Sequence, residues 1–157
     1  MKKILVLSLL LFMVITPVFA ENWVKLKGNF YADTDSIEEY IGDEGAKIPN
    51  NYSIWIKMLN NNSDYYKRSE EVYKTKIGYI KMKAVIDIKQ KTFAKRNFVM
   101  FDTNDKIINS TEKPDKLFKW YDIPKNSNRE RILKIINKEL FVRNIKQYVF
   151  SEQKEQQ

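Results

Sequence analysis

From Ile80 to Ile88 the even positions read Ile80, Met82, Ala84, Ile86 and Ile88, and the odd ones Lys81, Lys83, Val85, Asp87 and Lys89. Alternation with period two over this length predicts a β-strand with one apolar face. A return run from Phe93 to Asp102, the turn Asp102-Thr103-Asn104-Asp105-Lys106 and a third pass to Ser110 complete a predicted meander. At about 3.3 Å per residue the two long strands would each span roughly 30 Å, the longest of the domain. Upstream, Trp23 to Leu26 and Phe30 to Ala32 flank Lys27-Gly28-Asn29 and predict a first hairpin. Ser36 is an N-cap residue followed by Glu38 and Glu39, which predicts one or two helical turns, stopped by Gly42 and Gly45 before an Ile48-Pro49-Asn50-Asn51 loop. Tyr52 to Leu59 predicts a central strand with Ile54, Ile56 and Met58 on one face, and residues 65–77 read as a loop with a helical turn.

The pattern changes after Pro124. Ser127-Asn128-Arg129-Glu130 has the form of a capping box, in which the serine hydroxyl and the glutamate reciprocally satisfy backbone amides. Ile132, Leu133, Ile136, Leu140, Phe141, Ile145 and Tyr148 then recur at helical spacing, through to about Phe150. Such a stripe needs a sheet face to lie on, and the even face of Ile80 to Ile88 is the expected one. The predicted fold is therefore α+β: an antiparallel sheet of about five to six strands with a long C-terminal helix packed on one face.

The N-terminus sets the compartment. Lys2 and Lys3 precede the apolar run Ile4 to Ile15, and Val18-Phe19-Ala20 leads to Glu21, the layout of a signal peptide over residues 1–20. The apolar run is shorter than the about 20 residues of a membrane-spanning helix, so no transmembrane anchor is expected after cleavage. The mature chain reads as one domain over residues 21–150, with a flexible polar tail over 151–157, exported to the periplasm or the outer cell surface. Loss of Lys2 and Lys3 takes the whole-chain net charge of +8 to +6. Inside a cell that balance would bring nucleic acid into consideration; export removes it and leaves anionic glycans, lipid phosphates and acidic proteins.

Histidine and cysteine are both absent. No imidazole base, thiolate nucleophile or nitrogen ligand for zinc is available, no cofactor is expected, and an enzyme is disfavoured. The candidate site is the basic odd face of the central strand, Lys81, Lys83 and Lys89, with Lys91, Lys95 and Arg96 near it, read as a surface for an anionic partner. The alternative for these residues is a solvated face that resists edge pairing. Trp23, Trp55 and Trp120 are expected in the core, and Asp33, Asp35, Glu38 and Glu39 in turns and caps.

In order and spacing these segments resemble the surface-adhesin protein E family. The resemblance rests on Trp23, on Phe30-Tyr31-Ala32-Asp33-Thr34-Asp35-Ser36-Ile37, on Ile54-Trp55-Ile56-Lys57, on Phe98-Val99-Met100-Phe101-Asp102 with Lys106 to Ser110, and on Trp120-Tyr121-Asp122-Ile123-Pro124-Lys125-Asn126-Ser127. It implies an exported, non-enzymatic binding module that adheres to host or matrix proteins, with homodimer formation through sheet edges or faces. The alternative is a periplasmic accessory protein binding a small ligand or polyanion on the same scaffold. Many members of that family tie helix to sheet by a disulfide; here the corresponding regions hold Ile88 and Ile136-Asn137, so the helix must be held by packing.

Overall fold

The computed structural model describes residues 21–155, with side chains through Tyr148 and at Ser151. The signal peptide expected over residues 1–20 lies outside the described residues. The sheet runs β1 (Trp23–Lys25), β2 (Phe30–Ile41), β3 (Lys47–Leu59), β4 (Ile77–Asp87), β5 (Thr92–Asp102) and β6 (Ile107–Glu112) in simple sequence order. All neighbours are antiparallel, and a short β7 (Tyr121–Asp122) pairs with the start of β5. Among the described residues two α-helices complete the fold, α1 (Asp64–Tyr73) and α2 (Asn128–Glu155), with a 3-10 turn at Asp115–Leu117. The α+β architecture expected from the sequence is the one observed.

Alternation places Ile54 and Ile56 of β3 beside Ala84 and Ile86 of β4 on one face, and α2 seals this face with Ile132, Leu133 and Ile136. Ile136 is 0% exposed. A second cluster lies where α1 meets the sheet: Tyr66 packs on Ile77, Ile80 and Met100, with Met58, Phe98 and Ile108 half-buried around it. Ile80 shares the even face of β4 with Ala84 and Ile86, so both helices cover the same side of the sheet.

The first hairpin and the meander follow the sequence pattern, and four other segments do not. Ser36 to Glu39 stays in β2 instead of forming a helix. Between Asp33↔Trp55 and Glu38↔Ser53 the pairing shifts, so β2 bulges. The Ser36 hydroxyl donates to the Asp33 carbonyl at 2.7 Å and accepts from the Trp55 amide at 2.9 Å, filling the gap in the ladder. The bulge leaves Ile37 and Tyr40 buried three residues apart, which imitates helical spacing. Ile48 to Asn51 belongs to β3, with Asn50 at φ 63° beside another register shift. As a result β2 and β3, with 12 and 13 residues, are longer than the 11-residue β4 and β5 that were expected to be longest.

Residues 64–73 form a full helix where a single turn was expected. Its one buried residue is Tyr66, whose hydroxyl donates to the Met58 carbonyl at 2.9 Å. So small an apolar footprint leaves little periodic signal. At the other helix, Ser127 Oγ accepts from the Glu130 amide at 3.2 Å, but the Glu130 carboxylate takes the Asn126 amide at 2.7 Å rather than that of Ser127. The box thus closes one residue earlier than predicted. The apolar stripe of α2 is buried only in its first half: Leu140 is half-buried, while Phe141 and Ile145 are 65% and 46% exposed. The backbone stays helical through Glu155, within the stretch read as a tail.

Candidate functional site

The two helices do not meet over the sheet. α2 covers the Ile54, Ala84 and Ile86 region and α1 the Ile77, Ile80 and Met100 region, leaving a groove whose floor is Ile56, Met58, Ile80, Met82 and Phe98. Its volume is about 510 Å³. An adjoining hollow of about 310 Å³ shares Phe30, Met58, Lys95 and Phe98 with it and runs to Tyr65, Tyr66, Asn61 and Ser63 at the start of α1. Ser127, Asn128, Arg129 and Ile132 form the opposite wall. That wall is pinned: Asn128 Oδ1 accepts from the Lys27 amide at 2.8 Å, and Asn128 Nδ2 donates to the Lys27 carbonyl at 3.1 Å, joining helix start to first hairpin.

Cavities of about 300–1,000 Å³ with a mainly apolar lining and a few placed polar groups are the usual form of a small-molecule site. Here the polar groups are Lys95 and Arg129, with Ser127 and Asn128, and no acidic side chain lines either hollow. The Arg129 guanidinium is held 4.9 Å from the Phe93 ring centre and 5.3 Å from that of Tyr121, and donates to the Asp122 carbonyl at 3.3 Å. Lys95 has no ion pair or side-chain hydrogen bond among the described residues. The Ser127 hydroxyl is engaged in the helix cap, donating to the Pro124 carbonyl at 2.6 Å and accepting from the Glu130 amide at 3.2 Å. Among the described residues no cluster of three or more His, Cys, Asp or Glu side chains is placed to hold a metal.

The six basic residues singled out in the sequence do not gather on one surface. Lys81 and Lys83 do lie on the odd face, away from the helices, and each has a carboxylate: Glu21 at 2.6 Å for Lys81 and Glu38 at 2.6 Å for Lys83. The Lys81 ammonium holds the Glu21 carboxyl below the usual carboxylate range. Lys89 and Lys91 sit in and beside the β4–β5 turn, where Asp87 Oδ1 accepts the Lys89 and Gln90 amides at 2.9 and 2.7 Å. Lys95 pairs with Ala84 and therefore points to the helix face, into the groove.

Arg96 occupies the register shift between Lys83↔Asn97 and Ala84↔Lys95, and is turned inward by it. Its guanidinium meets Asp115 at 2.8 Å, Asp43 at 3.0 Å and Glu112 at 2.9 Å. It also donates to the Tyr40 hydroxyl, which in turn donates to Asp115. Burial, reinforced by the Asp115 hydrogen bond, pushes the Tyr40 hydroxyl well above the usual tyrosine range. Asp43 and Asp115 exchange backbone hydrogen bonds, the Asp115 amide donating to Asp43 at 2.6 Å and the Asp43 amide to Asp115 at 2.9 Å. Arg96 is thus the hub that ties β2, β5 and the chain leaving β6 together.

The face opposite the helices lies outside the two core clusters, although Val85 and Ala94 are buried on it, and it holds two of the tryptophans expected in the core. Trp23 and Trp55 are half-buried, and Trp120, beyond β6, is 42% exposed. Lys57 lies 4.3 Å from the Trp23 ring centre, and Tyr79 stacks on Phe101 at 4.7 Å. Burial pushes the Tyr79 hydroxyl up to about 12. An antiparallel sheet with a helix on one side keeps its other side half-wet, and large rings under lysine stems are one way of covering it.

The groove residues Met58, Met82 and Phe98 were visible in the sequence only as strand positions, and Lys95 only as one of the cations of the candidate basic surface. The one available signal was that Met58, Met82 and Phe98 share a face with more apolar residues than α2 alone can cover.

No protein-family model matches this chain, and no curated protein matches it. Among solved structures, Haemophilus influenzae protein E is similar, with a TM-score of 0.48 and 10% identity over 73% of this chain and 82% of that one. A selenomethionine form of the same protein gives 0.48 and 9%, over 73% and 84%. A second crystal form gives 0.44 and 10%, over 73% and 85%.

Proposed function

We propose that this chain is an exported, non-enzymatic binding protein whose ligand seat is the groove between α1 and α2. The observation that carries this reading is the apolar floor in which half-buried Met58, Met82 and Phe98 lie open above the buried Ile56 and Ile80, between two helices that cover the same sheet face on either side. A soluble domain gains by covering such a floor, at about 25 cal/mol per Å² of apolar area removed from water. Methionine thioethers at two of the five positions give it an adaptable surface.

The protein is expected to bind Nile red, an uncharged probe of apolar sites, with a blue-shifted rise in fluorescence. Met82→Trp, which fills the middle of the groove, is expected to weaken that binding at least tenfold while leaving far-ultraviolet circular dichroism unchanged. Absence of a Nile red signal in the wild-type protein would sink the groove reading.

A second reading, adhesion to a host or matrix protein or an anionic glycan, is favoured by the opposite face. There Trp23, Tyr79 and Phe101 form a half-buried row of rings of the kind enriched at interfaces, with Lys57 over the first two. Adhesion requires display on the cell exterior. Protease added to intact cells is then expected to remove the protein, and complete survival of the mature chain until the envelope is opened would rule adhesion out.

A further inference from the structure

Resting on the groove reading, we propose that the natural ligand class is a single-chain aliphatic carboxylate: an acyl tail laid on Met58, Met82 and Phe98, with its head group at Lys95.

The argument is one of charge placement. Several cations of the fold have carboxylates: Lys47 has Glu39, Lys81 has Glu21, Lys83 has Glu38, Lys134 has Glu130, and Arg96 has Asp43, Glu112 and Asp115, while Lys27 and Arg143 are held by the Asn126 and Ile37 carbonyls. The two cations that line the groove have none. Arg129 is steadied by the Phe93 and Tyr121 rings and one carbonyl, and Lys95 is unpaired among the described residues. With no acidic side chain in the lining of either hollow, an anionic head group meets no repulsion there and completes the pairing of Lys95.

The shape of the site separates a chain from a compact anion. Lys95 lines both hollows, and from it the apolar surface runs one way over Met82 toward Ile132 and the other over Phe98 and Met58 toward Tyr66. A sulfate, phosphate or sugar acid would fill the neighbourhood of Lys95 and leave that floor wet. A neutral alkane or alcohol would fill the floor and leave the ammonium without its partner. A peptide helix would need the charged residues of a partner to match only two cations, on a groove bounded at both ends by this chain's own helices. An acyl carboxylate satisfies floor and cation together.

Displacement of Nile red from the full protein tests the class separately from the groove. Decanoate and dodecanoate below their micellar concentrations, and dodecanol below its solubility limit, serve as competitors. Dodecanoate is expected to displace the dye about tenfold more effectively than dodecanol, the usual worth of a hydrogen bond to a charged group. It should also exceed decanoate by roughly tenfold, following the transfer of two methylenes. In Lys95→Met, which keeps the stem and removes the charge, Nile red binding should persist and the preference for dodecanoate over dodecanol should fall to about twofold or less. Equal displacement by dodecanol and dodecanoate in the wild type, or an undiminished preference in Lys95→Met, would overturn the carboxylate assignment while leaving the groove standing. Binding to phosphatidylglycerol vesicles with no displacement by monomeric dodecanoate would overturn it in favour of a membrane surface. A wild-type protein that does not take up Nile red removes groove and ligand class together.

Discussion

Ile136→Asp is expected to abolish cooperative folding. Ile136 is 0% exposed, in the cluster that joins α2 to Ile54, Ala84 and Ile86, and no cationic side chain is part of that cluster. Removing the isoleucine side chain alone would cost about 2–5 kcal/mol, and an unpaired carboxylate in its place adds several more. Domains of this size hold only about 5–15 kcal/mol in total. No disulfide stands in reserve, since the chain contains no cysteine. The variant should show no thermal transition by circular dichroism and should elute as aggregate in size exclusion. Deletion of everything after Asn126 should do the same by baring Ile54, Ile56, Ala84 and Ile86. A monomeric, cooperatively melting form of either would mean that α2 is not the cover the core depends on.

Arg96→Ala should be the most damaging change outside the apolar core, at about 3 kcal/mol in urea unfolding. The guanidinium is only 16% exposed and is shared by Asp43, Glu112 and Asp115, with the Tyr40 hydroxyl beneath it. Removing it breaks three ion pairs and leaves three carboxylates facing one another, the situation in which loss of one partner costs far more than the pair was worth. Part of that cost is repulsion between the acids that remain, so two features should mark the variant. Added salt should recover some of the loss. Asp115→Asn in the Arg96→Ala background should recover more, whereas in the wild-type background the same change should destabilise. A stability within about 0.5 kcal/mol of the wild type would show that the network is a surface arrangement of little consequence.

How far the sequence could be read depended on whether a signal was local. The alternation from Ile80 to Ile88 and the stripe beginning at Ile132 each belong to one element, and each identified its element and apolar face. Bulges are not local in this sense. The shift between Asp33 and Glu38 exists because β3 is there to be paired with, so Ser36-Ile37-Glu38-Glu39, read alone, has the composition of a helix start. Arg96 was read as a surface cation for the same reason. Its inward turn depends on one extra residue in β5, and its partners Asp43 and Asp115 lie far away in the chain. Lys95 shows the opposite error: counted with the odd-face lysines, it is carried by pairing with Ala84 to the helix face. The groove was hidden because it is made by what two helices fail to cover, and the shorter of them buries one tyrosine.

That uneven cover has a kinetic side. α2 is fastened along its buried half by Ile132, Leu133 and Ile136, by the Asn128 bonds to the first hairpin, and by Arg143, which donates to the Ile37 carbonyl at 3.0 Å. α1 is held by the buried Tyr66, by Glu70, which accepts from the Ile77 amide and the Asn60 side chain at 3.0 Å each, and by the Tyr73 hydroxyl, which accepts from Asn109 at 2.7 Å; it buries the smaller apolar area of the two helices. Sub-global opening follows the weakest attachment. With the smaller buried apolar area, α1 is expected to open before the whole domain unfolds, and its amides are then expected to exchange hydrogen faster than those of the buried half of α2. Each such event exposes Met58 and Phe98 from the flank while α2, Arg129 and Lys95 stay where they are. A long guest of the proposed class would then enter sideways, tail first, without threading past a fixed rim, and would leave at a rate set by the joint release of Tyr66, Glu70 and Tyr73.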